Sequence, residues 1–454
     1  AILDLGANRT GFLRLRVRPE APCRLFLLFD EILSDGDVDF LRLSCCNAVR
    51  FDLAPRRNPD GSIRDQELLT FEPYTLRWLK AVALDGPVDI LEAGMVEVAA
   101  PTPVPGFLSG LPESHRRIGL AAWETYRQNA VDVFTDCPSR ERAGWLCDSF
   151  FTARTAWRLT GSLEAETLFL ENFLLAERVP GLDPAMFPMC YPADHDDGVF
   201  IPNWGMWLVL QLEEFAGRSG DPALVEAFRP KVLAMLAFLK RFENRDGLLE
   251  RLPSWVFVEW SRANDFVQDI NYPTNMLYAA TLETAGRLYG DEGLLAKAGD
   301  LKSLIRRRAF RSRFFRDHDV YVMEEDGSFR LDAPADCTET CQYYAFFTGI
   351  ATPESHPWLW TRLVEEFGPE RVRRGHWMEV HPSNAFIGNF LRLECLWQAG
   401  LHDQVRREVE AYFDGMAIRT GTLWEHDSDV ASCCHGFASH VLCWLGNGET
   451  PTGA

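Results

Sequence analysis

Long apolar runs are missing from this 454-residue sequence. No stretch approaches the roughly 20 residues needed to cross a bilayer, which excludes a membrane-spanning helix. Positive charge is also in short supply. Lysine and arginine total 46 against 66 aspartates and glutamates, and the resulting −20 repels phosphate backbones and anionic lipid wherever salt does not screen it. Nucleic acid and membrane are therefore poor partners, whereas a neutral ligand is compatible with the charge. The twelve cysteines lack the CxxC repeats of a zinc site. Cys45-Cys46, Cys433-Cys434, and Cys337 with Cys341 read as buried thiols in a reducing compartment. Those reduced thiols are the ground for an expected cytoplasmic location, and the chain opens Ala1-Ile2-Leu3-Asp4 without a charged segment feeding an apolar stretch, so no secretion signal is visible.

What is present is a globular composition, 47% apolar and 25% charged, long enough for two domains or one large repetitive one. The first hundred residues read as strands. Leu13, Leu15 and Val17 alternate with Arg14, Arg16 and Arg18, the period of a half-buried strand. Similar runs at Arg24–Phe29, Val49–Leu53, Leu76–Leu84 and Val88–Val98 are separated by Gly, Asp and Pro clusters and predict a β-sandwich over residues 1–105. Ala100-Pro101-Thr102-Pro103-Val104-Pro105-Gly106 then stiffens the chain and marks a domain boundary.

From Ser114 the period becomes helical, with about twelve segments between residues 114 and 445. Asp221-Pro222 is a start signal, and Thr160-Gly161, Tyr289-Gly290 and Ala399-Gly400 are stop signals. One set, including Trp204–Phe215, Tyr272–Thr284, Thr340–Gly349 and Ser383–Trp397, is apolar nearly all round and should be buried. The other set is charged along one face and should pack outside it. Six inner and six outer helices make an (α/α)6 toroid spanning residues 106–454. The loops entering the inner helices would then converge at one end. Those loops hold Trp145, Trp204, Trp255, Trp260, Trp377 and Trp424 together with many carboxylates, a combination suited to a sugar, whose C–H faces stack on rings while its hydroxyls need acceptors.

The densest stretch is Asp136-Cys137-Pro138-Ser139-Arg140-Glu141-Arg142-Ala143-Gly144-Trp145-Leu146-Cys147-Asp148. Taken alone, its charges could be helix caps and solvated ion pairs. The run resembles, however, the signature DCPxRxERxGWxGD of the α-L-rhamnosidases of glycoside hydrolase family 78. Gly421-Thr422-Leu423-Trp424-Glu425-His426-Asp427 resembles that family's TTxWExWD segment, and Ser432-Cys433-Cys434-His435 resembles its SxNH segment. The order of β-sandwich, Pro-rich linker and helical barrel is similar too. There are departures: one residue is missing between Arg140 and Glu141, Cys147 replaces a usual Gly, and Cys434 stands where Asn is usual. Soon after the last expected helix comes Gly446-Asn447-Gly448, so no trailing β-domain is expected.

The resemblance implies an inverting exo-hydrolase that removes terminal α-L-rhamnose, with Glu141 as general acid and Glu425 as general base. Asp136, Arg140 and Asp148 would hold sugar hydroxyls, Trp145 would form an apolar wall, and His435 would complete the rim. Trp204, Glu259, Trp260 and Trp424 are placed in the same pocket. Arg140 is expected to point at the sugar or at Asp136 instead of at Glu141. No cofactor and no metal are expected: Asp194-His195-Asp196-Asp197 reads as a solvated turn before a calcium loop, and Cys433-Cys434-His435 lacks a second pair of ligands. The expected partner is a carbohydrate, and a homodimer is compatible with the sequence. Two alternatives stay open, a toroidal hydrolase for another terminal sugar and a sugar-binding relative without turnover.

Overall fold

The computed structural model describes residues 2–176, 179–193, 197–219 and 222–446. Its first part is built around one long strand, β1 (Ile2–Pro19), followed by β2 (Cys23–Asp30), β3 (Ala48–Leu53), β4 (Gln66–Leu69), β5 (Tyr74–Leu84) and β6 (Val88–Glu97). All pairings among these strands are antiparallel, in the order β3-β2-β5-β1-β4, with β6 also on β1. The strand β1 changes neighbours along its length. Ile2–Asp4 and Arg9–Gly11 pair with β5 on either side of a bulge, whereas Gly11–Pro19 run beside β6.

The strands form one continuous hydrogen-bonded network, because β1 passes from one group of strands to the other. Leu13, Leu15 and Val17 of β1 and Leu25, Leu27 and Phe29 of β2 are buried in a cluster drawn from sheet residues alone. The sheet thus bends over its own apolar face, which its 18-residue central strand allows. The Pro-rich linker is held in place: Trp123 Nε1 donates to the carbonyls of Thr102 and Pro103 at 3.2 and 3.1 Å.

The helices are α1 (Glu113–Asn129), α2 (Leu146–Thr160), α3 (Glu164–Leu175), α4 (Pro202–Ser219), α5 (Pro222–Lys240), α6 (Tyr272–Tyr289), α7 (Glu292–Ala309), α8 (Glu339–Phe347), α9 (Pro357–Glu366), α10 (Phe390–Gln398), α11 (His402–Thr420) and α12 (Val441–Leu445). Local chemistry sets many of the ends. Asn271 caps α6 by accepting from Thr274 N, Asp291 caps α7, and Gly161, Gly290 and Gly421 close α2, α6 and α11 in the left-handed region. The expected cap Asp221 and the turn 194–196 lie outside the described residues.

The even-numbered helices α2, α4, α6, α8 and α10 pack each on the next, and the Gly436–Leu445 segment packs on α2. Phe390 of α10 meets Phe437 at 4.4 Å and Trp444 at 5.4 Å between ring centres. The helix α6 is buried nearly all round, while α7 buries Ala298, Leu301 and Ile305 and carries Arg306, Arg307 and Arg308 in its last turn. Two features depart from the expected pattern. A hairpin, His318–Met323 with Phe329–Asp332, stands between α7 and α8. The segment expected as one helix over Ser383–Trp397 becomes helical only at Phe390, after an irregular turn at Ala385–Asn389.

Candidate active site

Asp136–Asp148 leads from α1 into α2 as a loop closed on itself. Asp136 N donates to the Ala143 carbonyl and Ala143 N to Asp136 Oδ1, both at 3.0 Å. Beyond it, Gly144 and Leu146 pair with the 189–192 segment. A side chain at Gly144 would strike the Tyr191 carbonyl, so this crossing needs glycine. The second motif is closed by Glu425 N donating to the Ser432 carbonyl at 3.0 Å and His435 N to that of Leu423 at 2.9 Å.

The two loops touch through Ser139 and Ser432, whose hydroxyls are 3.4 Å apart, and through Gly436 N, which donates to the Asp136 carbonyl at 2.6 Å. Between them opens a cleft of about 530 Å³ lined by Asp136, Arg140, Glu141, Trp145, Asp148, Ile201, Trp204, Trp255, Phe257, Trp260, Phe386, Glu425 and His435. One side is aromatic. Phe257 packs edge-on to Trp204 and Trp260, with ring centres 5.0 and 4.7 Å apart.

The other side is charged. Arg140 Nη2 lies 3.1 Å from Glu141 Oε1 and 3.7 Å from Glu425 Oε2. The sum of the two distances, about 6.8 Å, is the furthest those oxygens can lie apart. The expectation that Arg140 turns away from Glu141 is thus corrected: the guanidinium lies between the two glutamates, within reach of both carboxyl groups. Arg142 instead turns outward, 3.6 Å from Glu72 of the sheet domain.

His435 Nε2 is 2.8 Å from Asp148 Oδ1, and its Nδ1 is 3.7 Å from Glu425 Oε2. Burial lowers the pKa of His435, but the charges of Glu425 and Asp148 outweigh it and bring it to about 9. Burial pushes Glu425 up, yet His435, His426 and Arg140 together hold it at about 2, so it is ionised at neutral pH. Asp136 goes the other way: burial, reinforced by the charge of Glu141, raises it to about 8. Asp136 Oδ2, Glu425 Oε2 and His435 Nδ1 are buried without a hydrogen-bond partner among the described residues, which leaves polar atoms in the cleft for a ligand rich in hydroxyls.

Of the residues expected here, Glu259 and Trp424 do not line the cleft. Glu259 is fully buried behind the aromatic side, accepting from Ser261, Thr340, Asn384 N and Gly388 N. Trp424 donates from Nε1 to Thr420 Oγ1 at 2.8 Å and lies under Arg419, so it packs in the core. Sequence reasoning did not single out Ile201, Phe257 or Phe386. Phe257 stands between Trp255 and Trp260 in an aromatic loop already marked, whereas Phe386 lay hidden in the segment read as helix.

The model of the bacterial α-L-rhamnosidase six-hairpin glycosidase domain matches residues 113–447. The chain belongs to this family. It is 27% identical over 271 residues to an α-L-rhamnosidase of Streptomyces avermitilis, an alignment covering 58% of this chain and 25% of that one. The chain thus matches a quarter of that relative's length. Two solved structures share the fold. A family 78 rhamnosidase of Bacillus sp. GL1 has a TM-score of 0.81 at 18% identity, covering 98% of this chain and 46% of that one. A Klebsiella oxytoca rhamnosidase with rhamnose bound has a TM-score of 0.77 at 17% identity, covering 98% of this chain and 86% of that one.

At the edge of this rhamnosidase-family cleft, Asp136 and His435 with the fully buried Cys137 bring possible ligand atoms within 4.8 Å of one another. Their chemistry suits a metal poorly. Burial holds the Cys137 thiol well above its usual pKa, and His435 at about 9 is protonated at neutral pH, so a metal would have to displace both protons.

Proposed function

We infer that this chain is an inverting, exo-acting α-L-rhamnosidase. The observation that carries the reading is that Glu141 and Glu425 share one guanidinium in a cleft lined also by Trp145, Trp204, Trp255 and Trp260. Cleavage needs a proton on the leaving oxygen and a carboxylate holding water at the opposite face of the sugar. Glu141 donates the proton as the bond from the anomeric carbon to the leaving oxygen breaks. Glu425 takes a proton from water as its oxygen bonds to that carbon. His435 and His426 keep Glu425 ionised. The upper limit of about 6.8 Å on that oxygen pair spans both the roughly 5–5.5 Å of a retaining pair and the lower edge of the roughly 6.5–9.5 Å of an inverting one, so the released anomer decides between them.

Asp136, Arg140 and Asp148 hold sugar hydroxyls in this reading, and Trp145, Trp204 and Trp260 cover its apolar faces. In this reading the (α/α)6 barrel is assigned to residues 106–454 and the β-domain to residues 1–105. Turnover of a nitrophenyl α-L-rhamnoside, in preference to other nitrophenyl glycosides, is the expected result. Proton NMR of the first sugar released should show the inverted anomer. Glu141→Gln should abolish cleavage of alkyl glycosides while sparing more activity on the nitrophenyl substrate, whose leaving group departs without a proton. Equal loss on both, or a retained anomer, would overturn the assigned roles; turnover of none with rhamnose still bound would favour a binding protein.

A further inference from the structure

The sheet reaches the loop that carries Glu425 and His435 through a buried polar cluster. Asp30 ends β2, and Asp30 and Glu31 are both fully buried. Arg42 donates to Asp30 at 2.7 and 2.8 Å and to Glu31 at 3.1 Å. The same guanidinium donates to the carbonyls of Asp429 and Ala431 at 2.7 and 2.9 Å. Glu31 Oε2 accepts from Cys433 N at 2.9 Å. Asn8 of β1 donates to Glu31 at 3.2 Å, to Thr422 Oγ1 at 3.1 Å and to the Cys433 carbonyl at 3.4 Å.

These contacts grip both sides of one loop. Thr422 Oγ1 donates to the Cys433 carbonyl at 2.6 Å, so the two limbs run side by side. Glu425 lies three residues beyond the gripped Thr422, and His435 two beyond the gripped Cys433. The helical region anchors the loop as well, among other contacts through Leu423 N on Thr125 Oγ1 at 2.8 Å, Asp427 N on Asn384 Oδ1 at 2.9 Å and Gly436 N on the Asp136 carbonyl.

Burying two carboxylates and a guanidinium costs solvation that apolar side chains would not. Apolar packing would hold the loop against the sheet but let it slide, whereas directional bonds to named carbonyls and amides fix its register. We propose that Asn8, Glu31 and Arg42 are positioning residues: they latch the 422–435 loop and so set Glu425 and His435 against the sugar. This rests on the rhamnosidase reading above, and it makes the sheet part of the catalytic machinery without touching substrate.

Asn8→Ala and Thr422→Val test it, since each removes part of the latch and leaves the Asp30–Arg42–Glu31 charges paired. Displacing a reacting group by about 1 Å can cost on the order of 100-fold in rate, so kcat on nitrophenyl rhamnoside should fall about 10–100-fold. The KM and the affinity for free rhamnose should change less than about threefold, because Asp136, Arg140 and Asp148, which hold the hydroxyls in this reading, sit on the 136–148 loop and not on the latched one. Because the two residues form one contact, the double variant should lose little more than the worse single one. Amide hydrogen exchange should quicken in 423–435 and stay unchanged in α6. A kcat per folded molecule within twofold of the parent, losses that simply multiply, or unchanged exchange in 423–435 would each overturn the latch. A parent chain that turns over no rhamnoside would reject the rhamnosidase reading instead, and exchange alone would then decide the latch.

Discussion

Burial alone would favour the neutral form of Glu425, and three neighbours reverse that. His435 contributes the largest opposing charge, followed by His426 and Arg140. Removing either His435 or Arg140 should therefore raise the acid limb of the pH dependence of kcat/KM, and His435→Asn should raise it more than Arg140→Gln. The reverse order would mean that Arg140 is the principal support of the base. His435 also ties stability to pH. Its folded pKa of about 9 lies above the ordinary 6.5, so its contribution is fully present below about 6.5 and is lost as pH rises through about 9. Melting temperature should fall across that window in the parent and fall less in His435→Asn. Equal slopes would place the proton elsewhere. At this scale the charged motif was readable, because its residues are adjacent in the chain; the direction in which Arg140 points was not, because it depends on Glu425, 285 positions away.

The turn at Ala385–Asn389 shows what a local pattern misses. Ser383–Trp397 is apolar enough to read as one buried helix, yet Ile387 adopts φ 71° and ψ −64°, a conformation that β-branched residues rarely take. The cause is distant in sequence. Glu259 accepts from Asn384 N at 3.0 Å and from Gly388 N at 2.7 Å, pulling both ends of the turn onto one carboxylate and presenting Phe386 to the cleft. A side chain at Gly388 would collide with Glu259 and with Ser383. Gly388→Ala should therefore cost about 1–3 kcal/mol in thermal or denaturant unfolding and raise KM for the rhamnoside as Phe386 moves. Lost stability with unchanged KM would remove Phe386 from substrate binding. The regular helices were legible from periodicity and caps such as Asn271 and Asp291, since those signals are local.

A chain of this length ordinarily divides into domains that unfold separately. Here the sheet and the helices meet through groups that cannot part cheaply. Thr10 donates to Gln128 at 2.7 Å, Gln128 donates to the Asn8 carbonyl at 3.0 Å, and Arg42 caps carbonyls of the 422–435 loop. The change from period-2 to helical patterning revealed two kinds of structure in the sequence, but nothing local in it revealed this interface, whose partners lie more than a hundred positions apart. Separating the parts would expose one surface while leaving Asp30, Glu31 and Arg42 to rearrange. Calorimetry should accordingly show one transition whose calorimetric and van't Hoff enthalpies agree. Rhamnose at 100 times its Kd should stabilise that whole transition by about 2.7 kcal/mol. Two transitions, with rhamnose moving only the second, would show that the sheet folds apart from the site it is proposed to hold.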